Sequence, residues 1–160
     1  MCFILVGNQF ACSENYLLLK NLYKKSKLAD LYSKYSQLFF AELVATFIFV
    51  FIAIGSINSA LYFSSPLTEV GLIIIALGNG LAIFISIASM GRISGAHLNP
   101  AVTLAMLIAG KIDIVKSFIY IAGQLSGSCL AALSVSFFIW SGSDTATGAH
   151  SLADGVSLSD

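Results

Sequence analysis

Gly-Arg-Ile-Ser-Gly-Ala-His-Leu-Asn-Pro-Ala-Val-Thr-Leu-Ala-Met-Leu, residues 91–107, is the stretch whose reading decides the architecture of this chain. Asn99 suits a helix N-cap, because its side-chain oxygen can accept from a free backbone N–H. Pro100 suits the first helical position, where a missing N–H costs nothing. From Pro100 to Gly110 there is room for only some three turns, roughly 16 Å. A helix that crosses a bilayer needs about 20 apolar residues, so this one goes part-way. It therefore reads as a re-entrant half-helix. Irregular backbone at that depth is tolerated only where protein buries it or where it lines a watery cavity. A pore or a transport site is the expectation.

Full-length hydrophobic segments flank it on both sides. They run from Leu38 to about Phe63, from Val70 to about Ser89, and from Ile114 to about Trp140. Tyr120 and Trp140 are placed near the ends of the last span, as interfacial aromatics. With 58% hydrophobic and 10% charged residues, and a mean hydropathy of +0.90, the chain is far more apolar than a soluble domain. The expected fold is an all-α membrane protein with three transmembrane helices and one re-entrant half-helix. Residues 1–35 form a basic N-terminal segment, 36–140 the membrane unit, and 141–160 a link or tail. The opening Met-Cys-Phe-Ile-Leu-Val is too short to span, and without a charged leading region it does not resemble a cleaved signal peptide.

Charge sets the orientation. Lys20, Lys24, Lys25, Lys27 and Lys34 precede the first span, and Arg92, Lys111 and Lys116 surround the half-helix. The links after the first and third spans hold no Lys or Arg, so all 8 basic residues fall on one side. The positive-inside rule makes that side, and the N-terminus, cytoplasmic. The tail with Asp144, Asp154 and Asp160 then faces out.

Other features are weighed more briefly. Leu28, Leu31, Tyr32 and Tyr35 recur at helical spacing among lysines, which fits either an amphipathic helix on an anionic leaflet or a solvated basic tail. Cys2, Cys12 and Cys129 show neither paired nor metal-binding spacing. Gly78, Ala82 and Ser86 recur every four residues, as do Gly123, Gly127 and Ala131, and such ridges let helix backbones approach closely. Nucleophile–base pairs, metal-ligand clusters and phosphate-binding loops are missing, so no enzyme, metal or cofactor is expected. Zero formal net charge without a basic block argues against nucleic acid as a partner.

Glu42 is the ionisable residue set deep in a span, with Thr46 one turn on. A carboxylate there is costly and must find partners. A proton relay needs a second titratable group nearby, and the spans supply none. The better reading is architectural: Glu42 accepts hydrogen bonds from irregular backbone near the half-helix, with Gln124 serving the same purpose.

Ser-Gly-Ala-His-Leu-Asn-Pro-Ala-Val-Thr at 94–103 resembles the first signature loop of the aquaporin, or major intrinsic protein, family. Ala-Glu-Leu-Val-Ala-Thr-Phe at 41–47 is similar to that family's first helix, and Gly123-Gln124 to its third. Ser-Leu-Ala-Asp-Gly-Val at 151–156 looks like the extracellular link that follows. The resemblance covers residues 36–160 and implies the first inverted repeat of an aquaporin-like fold. It implies a passive channel, or half of one, for water or small uncharged solutes such as glycerol. Asn99, with Pro100 and Ala101, would present an amide to the solute at the positive end of the half-helix. Backbone carbonyls of Gly95, Ala96 and His97 would form part of an acceptor ladder. His97 can be read as a pH switch, since imidazole titrates near neutrality, but its place in the signature loop favours a satisfied structural histidine.

Two departures from the family pattern stand out. By counting back from the loop, Asn79 falls where strict water channels commonly carry an aromatic, which implies a wider and more polar constriction. The family also has a second repeat with its own Asn-Pro-Ala and a filter arginine, and neither occurs here. The chain is then the front half of a channel, or a non-conducting truncated subunit that modulates full-length relatives. A membrane scaffold with an independently evolved loop is the reading from outside the family. The expected partners are the lipid bilayer, the permeating solute, and aquaporin-like subunits in a homo- or hetero-oligomer, a tetramer in the family.

Overall fold

The computed structural model describes residues 9–63 and 68–138, with side chains described at 16 and from 18 onward. Four helices carry the chain: α1 (Gln9–Phe63), α2 (Glu69–Met90), α3 (Pro100–Ile108) and α4 (Ile114–Phe138), with no strand among the described residues. Trp140, the tail from 141, most of the link at 64–67, Cys2 and the Cys12 side chain lie outside them. The chain divides into two compact units, Met1–Gln37 and Leu38–Asp160, and α1 contributes to both.

In the first unit the backbone is helical from Gln9 onward. Its described side chains are exposed as far as Lys34, including Leu28, Leu31 and Tyr32.

The second unit holds the helices that matter for function. The apolar part of α1, α2 and α4 are each long and apolar enough to cross a membrane, whereas α3 has nine residues and is not. Local chemistry explains three of the boundaries. Thr68 caps α2, its hydroxyl accepting from Gly71 N–H at 3.4 Å, and Glu69 complements the positive end of the first turn. Asp113 caps α4, its carboxylate accepting from Lys116 N–H at 2.8 Å. α3 ends in a Schellman turn. Gly110 takes φ +66°, its N–H reaches the Leu107 carbonyl at 3.0 Å, and Lys111 N–H reaches that of Met106 at 2.9 Å.

Small residues let the spans touch. On α4 the buried face is Ser117, Tyr120, Gly123, Gln124, Gly127, Ala131 and Val135. A Cβ placed on Gly123 would lie 2.7 Å from the Phe39 carbonyl oxygen, and one on Gly127 would collide with that of Leu43. α4 therefore lies backbone to backbone against α1. α2 does the same through Gly78, where a Cβ would sit 2.5 Å from Ser56 Cβ, and through Ser86, whose hydroxyl donates to the Ala45 carbonyl at 3.1 Å.

Gly127→Ala should therefore push α4 off α1 and cost about 1–3 kcal/mol. Gly55→Ala, at a helical glycine with nothing within 4 Å, should be neutral or stabilise by up to about 1 kcal/mol. Thermal unfolding in detergent, followed by fluorescence-detected gel filtration, checks both.

Candidate functional site

Between α2 and α3 the chain leaves Met90 in a turn, folds back along α1, and restarts as a helix at Pro100. Three of its residues have left-handed backbone: Gly95 (φ +93°), Ala96 (φ +46°) and Leu98 (φ +59°). For Ala96 and Leu98 this conformation costs of order 1–3 kcal/mol each and persists only where surroundings impose it. What imposes it is an anion. Left-handed residues make successive N–H groups converge into a concave nest, and here His97 N–H and Leu98 N–H each lie 3.0 Å from the Glu42 carboxylate.

Glu42 is fully buried, and its two oxygens are completely used. Oε1 accepts from Ser94 Oγ at 2.6 Å and from His97 N–H. Oε2 accepts from Leu98 N–H and from Gln124 Nε2 at 2.8 Å. Four hydrogens point at the carboxylate, two at each oxygen. Ser94 Oγ also accepts from Ala96 N–H at 3.0 Å, which locks the turn. Beneath it, Ala45, Ala96 and Leu98 pack together with Met90.

Gln124 extends the network to α3. Because a carboxylate only accepts, the Gln124 amide must present its nitrogen to Glu42, and its second hydrogen goes to Thr103 Oγ1 at 3.0 Å. Thr103 Oγ1 is in turn 3.2 Å from the Asn99 carbonyl and 3.2 Å from His97 Nδ1. Gln124 is thus a donor that couples Glu42 to the half-helix.

Tyr120 departs further from expectation. It is not an interfacial aromatic but wholly buried, its hydroxyl donating to the Ser94 carbonyl and its ring meeting the edge of His97 at 5.0 Å between centroids. The reason is register: Tyr120 shares the α4 face of Gly123 and Gln124. That spacing was the signal available in the sequence, as was Thr103 one turn beyond Asn99. Thr46 is buried, and its hydroxyl has no hydrogen-bond partner among the described residues.

Asn99 caps α3, its Oδ1 accepting from Ala101 N–H at 2.8 Å. That bond orients the amide: the oxygen is tied to the helix, and the exposed Nδ2 hydrogens meet no acceptor among the described residues. Pro100 opens the helix, and Ala101 is exposed beside it. The carbonyls of Gly95, Ala96 and His97 likewise receive no donor among the described residues. Asn79 stands apart. It lies half-buried on α2, its Nδ2 donating to the Ile75 carbonyl of its own helix at 2.9 Å. No metal-binding group of His, Cys, Asp or Glu occurs among the described residues.

Comparison with known proteins gives one consistent result. A family model described as Major intrinsic protein matches residues 31–160. Aquaporin TIP4-4 of Zea mays is 38% identical over 118 residues, covering 72% of this chain and 46% of that protein. Aquaporin-1 of Homo sapiens is 40% identical over 121 residues, covering 72% and 44%. Aquaporin-5 of Homo sapiens is 44% identical over 93 residues, covering 58% and 33%. The chain thus spans less than half the length of these curated relatives.

Glu42→Gln turns an acceptor into a donor facing two donors, at a cost of about 1–3 kcal/mol for each N–H or O–H left unmatched. The loop should loosen around exposed Arg92, so limited trypsin digestion in detergent should cleave there many times faster than in the parent. Tyr120→Phe, which frees only the Ser94 carbonyl, should cost about 1 kcal/mol and accelerate the same cleavage less.

Proposed function

The chain belongs to the major intrinsic protein family, and from that premise we propose that it forms the first-repeat half of a passive channel for water and small uncharged solutes. The observation that carries this reading is the oriented Asn99 amide. Its oxygen is held by Ala101 N–H, so its nitrogen offers hydrogens outward from the N-terminus of α3. That end of the helix bears roughly half a positive charge. A neutral molecule with oxygen lone pairs is stabilised there, while a cation is repelled. The carbonyls of Gly95, Ala96 and His97, which receive no donor among the described residues, supply acceptors along the approach, so a solute that donates and accepts can exchange bulk hydrogen bonds for bonds to the wall. Glu42 takes no part in transfer. It holds the loop that aims Asn99.

Orientation follows from charge, with the face that carries the lysines and Arg92 toward the cytoplasm. A complementary membrane half, from an aquaporin-like subunit, closes the other wall of the conduit. Asn79 governs size selection in this proposal. A short amide turned back onto its own helix leaves more room than an aromatic ring, which favours glycerol-sized solutes beside water.

Stopped-flow light scattering on vesicles tests the reading, with this chain reconstituted alone and together with the second half of a relative. The pair should raise osmotic water permeability above that of empty vesicles, and Asn99→Val in the pair should lower it at least tenfold. Permeability of the pair equal to that of empty vesicles overturns the proposal. If the chain instead lowers the permeability of a co-reconstituted full-length relative, it is a modulatory subunit. For selectivity, Asn79→Phe should reduce glycerol flux more than water flux, and an unchanged ratio sinks the role given to Asn79.

A further inference from the structure

The first unit carries a feature that conduction does not use. On α1, Lys20, Lys24, Lys27, Leu31 and Lys34 follow one another at spacings of four, three, four and three, so they lie in one stripe along the helix. Every one of them is exposed. Their side chains, with Tyr23, line a groove along this face. Lys27 Nζ stands 5.0 Å from the centre of the Tyr23 ring, which holds its stem along the groove. Asp30 also borders the groove, so four lysines share it with one acidic residue. Lys25 lies on another side of the helix.

We propose that this stripe is a binding surface for anionic phospholipid headgroups of the leaflet next to the first span. Charge complementarity selects the occupant. A solvated tail gains nothing from placing four lysines on one face, whereas a negatively charged surface attracts them together. Lysine stems and the Tyr23 ring make the groove apolar, and a long flexible stem lets each charged head reach out to an anionic surface. That arrangement matches the boundary between acyl chains and phosphates. Proximity comes from covalent continuity, since Lys34 precedes Leu38, where the apolar run of the first span begins, by only four residues.

The test uses the full chain in lipid nanodiscs, with Cys2, Cys12 and Cys129 replaced by serine and Leu31→Cys carrying a polarity-sensitive fluorophore. Discs of phosphatidylcholine alone are compared with discs that also contain phosphatidylserine. Both leaflets are then alike, so the outcome does not depend on the orientation proposed above. With phosphatidylserine the label should become shielded from aqueous iodide, and the shielding should vanish as salt rises from about 0.1 M to about 1 M and the screening length falls from about 10 Å to about 3 Å. Each stripe lysine replaced by glutamine should weaken the bound state about fivefold. K20Q/K24Q/K27Q/K34Q together should abolish it, while Lys25→Gln should leave it in place. Far-ultraviolet circular dichroism verifies that the variants keep their helix. Equal shielding in the two lipid compositions, shielding that survives the quadruple substitution, or an equal loss from Lys25→Gln overturns the proposal.

Discussion

One buried carboxylate organises this molecule. Glu42 lies in the part of α1 that forms the first span, where an uncompensated charge is expensive, and the chain answers by wrapping a loop around it. Four donors reach it: one serine hydroxyl, two backbone N–H groups and one glutamine amide. Hydrogen bonds to a charged group contribute roughly 1.5–3 kcal/mol each. That is enough to offset left-handed backbone at Ala96 and Leu98, which neither residue would adopt unaided. Position and strain are thus two sides of one balance. The direction in which α3 starts, and so the direction in which Asn99 faces, depends on it.

A division of labour follows among the residues that bring the helices together. Gly78, Gly123 and Gly127 supply no bonds. They remove the atoms that would keep α2 and α4 away from α1. Once the backbones are close, Tyr120 on α4 is near enough to reach the loop and Gln124 to reach Glu42, and Thr103 on α3 completes the link. In lipid there is no hydrophobic drive for helices to associate, so close packing and polar bonds must do that work jointly. Losing a glycine therefore harms the polar network too, because the donors would be held out of range.

Some of this was legible in the residues themselves. Asn99-Pro100 announces a helix start through capping chemistry that is entirely local, and α3 begins there. Glu42 stands out because an isolated charge in an apolar span needs a reason. Helix character and the three long spans follow from composition and length. What stayed hidden depends on pairing across distance. Nothing local tells Ala96 or Leu98 to turn left-handed, since the cause sits on another helix. Tyr120 looks interfacial when judged by its place near a span end, and only its shared face with Gly123 and Gln124 turns it inward. Gln124 was recognised as a support, but its role as a donor became clear only once the carboxylate stood opposite it.

The separation of these partners along the chain has a consequence for how the protein is made. Glu42 and Gln124 are 82 residues apart. At a synthesis rate of about 5–20 residues per second, roughly 4–16 s elapse between them on the ribosome. For the first part of that interval the acid group in the first hydrophobic segment is unmatched, because the serine and the loop amides follow it only 52–56 residues later. Insertion of that segment is therefore provisional until translation delivers the third span. Biogenesis, and not only the finished fold, waits on the last donor to arrive.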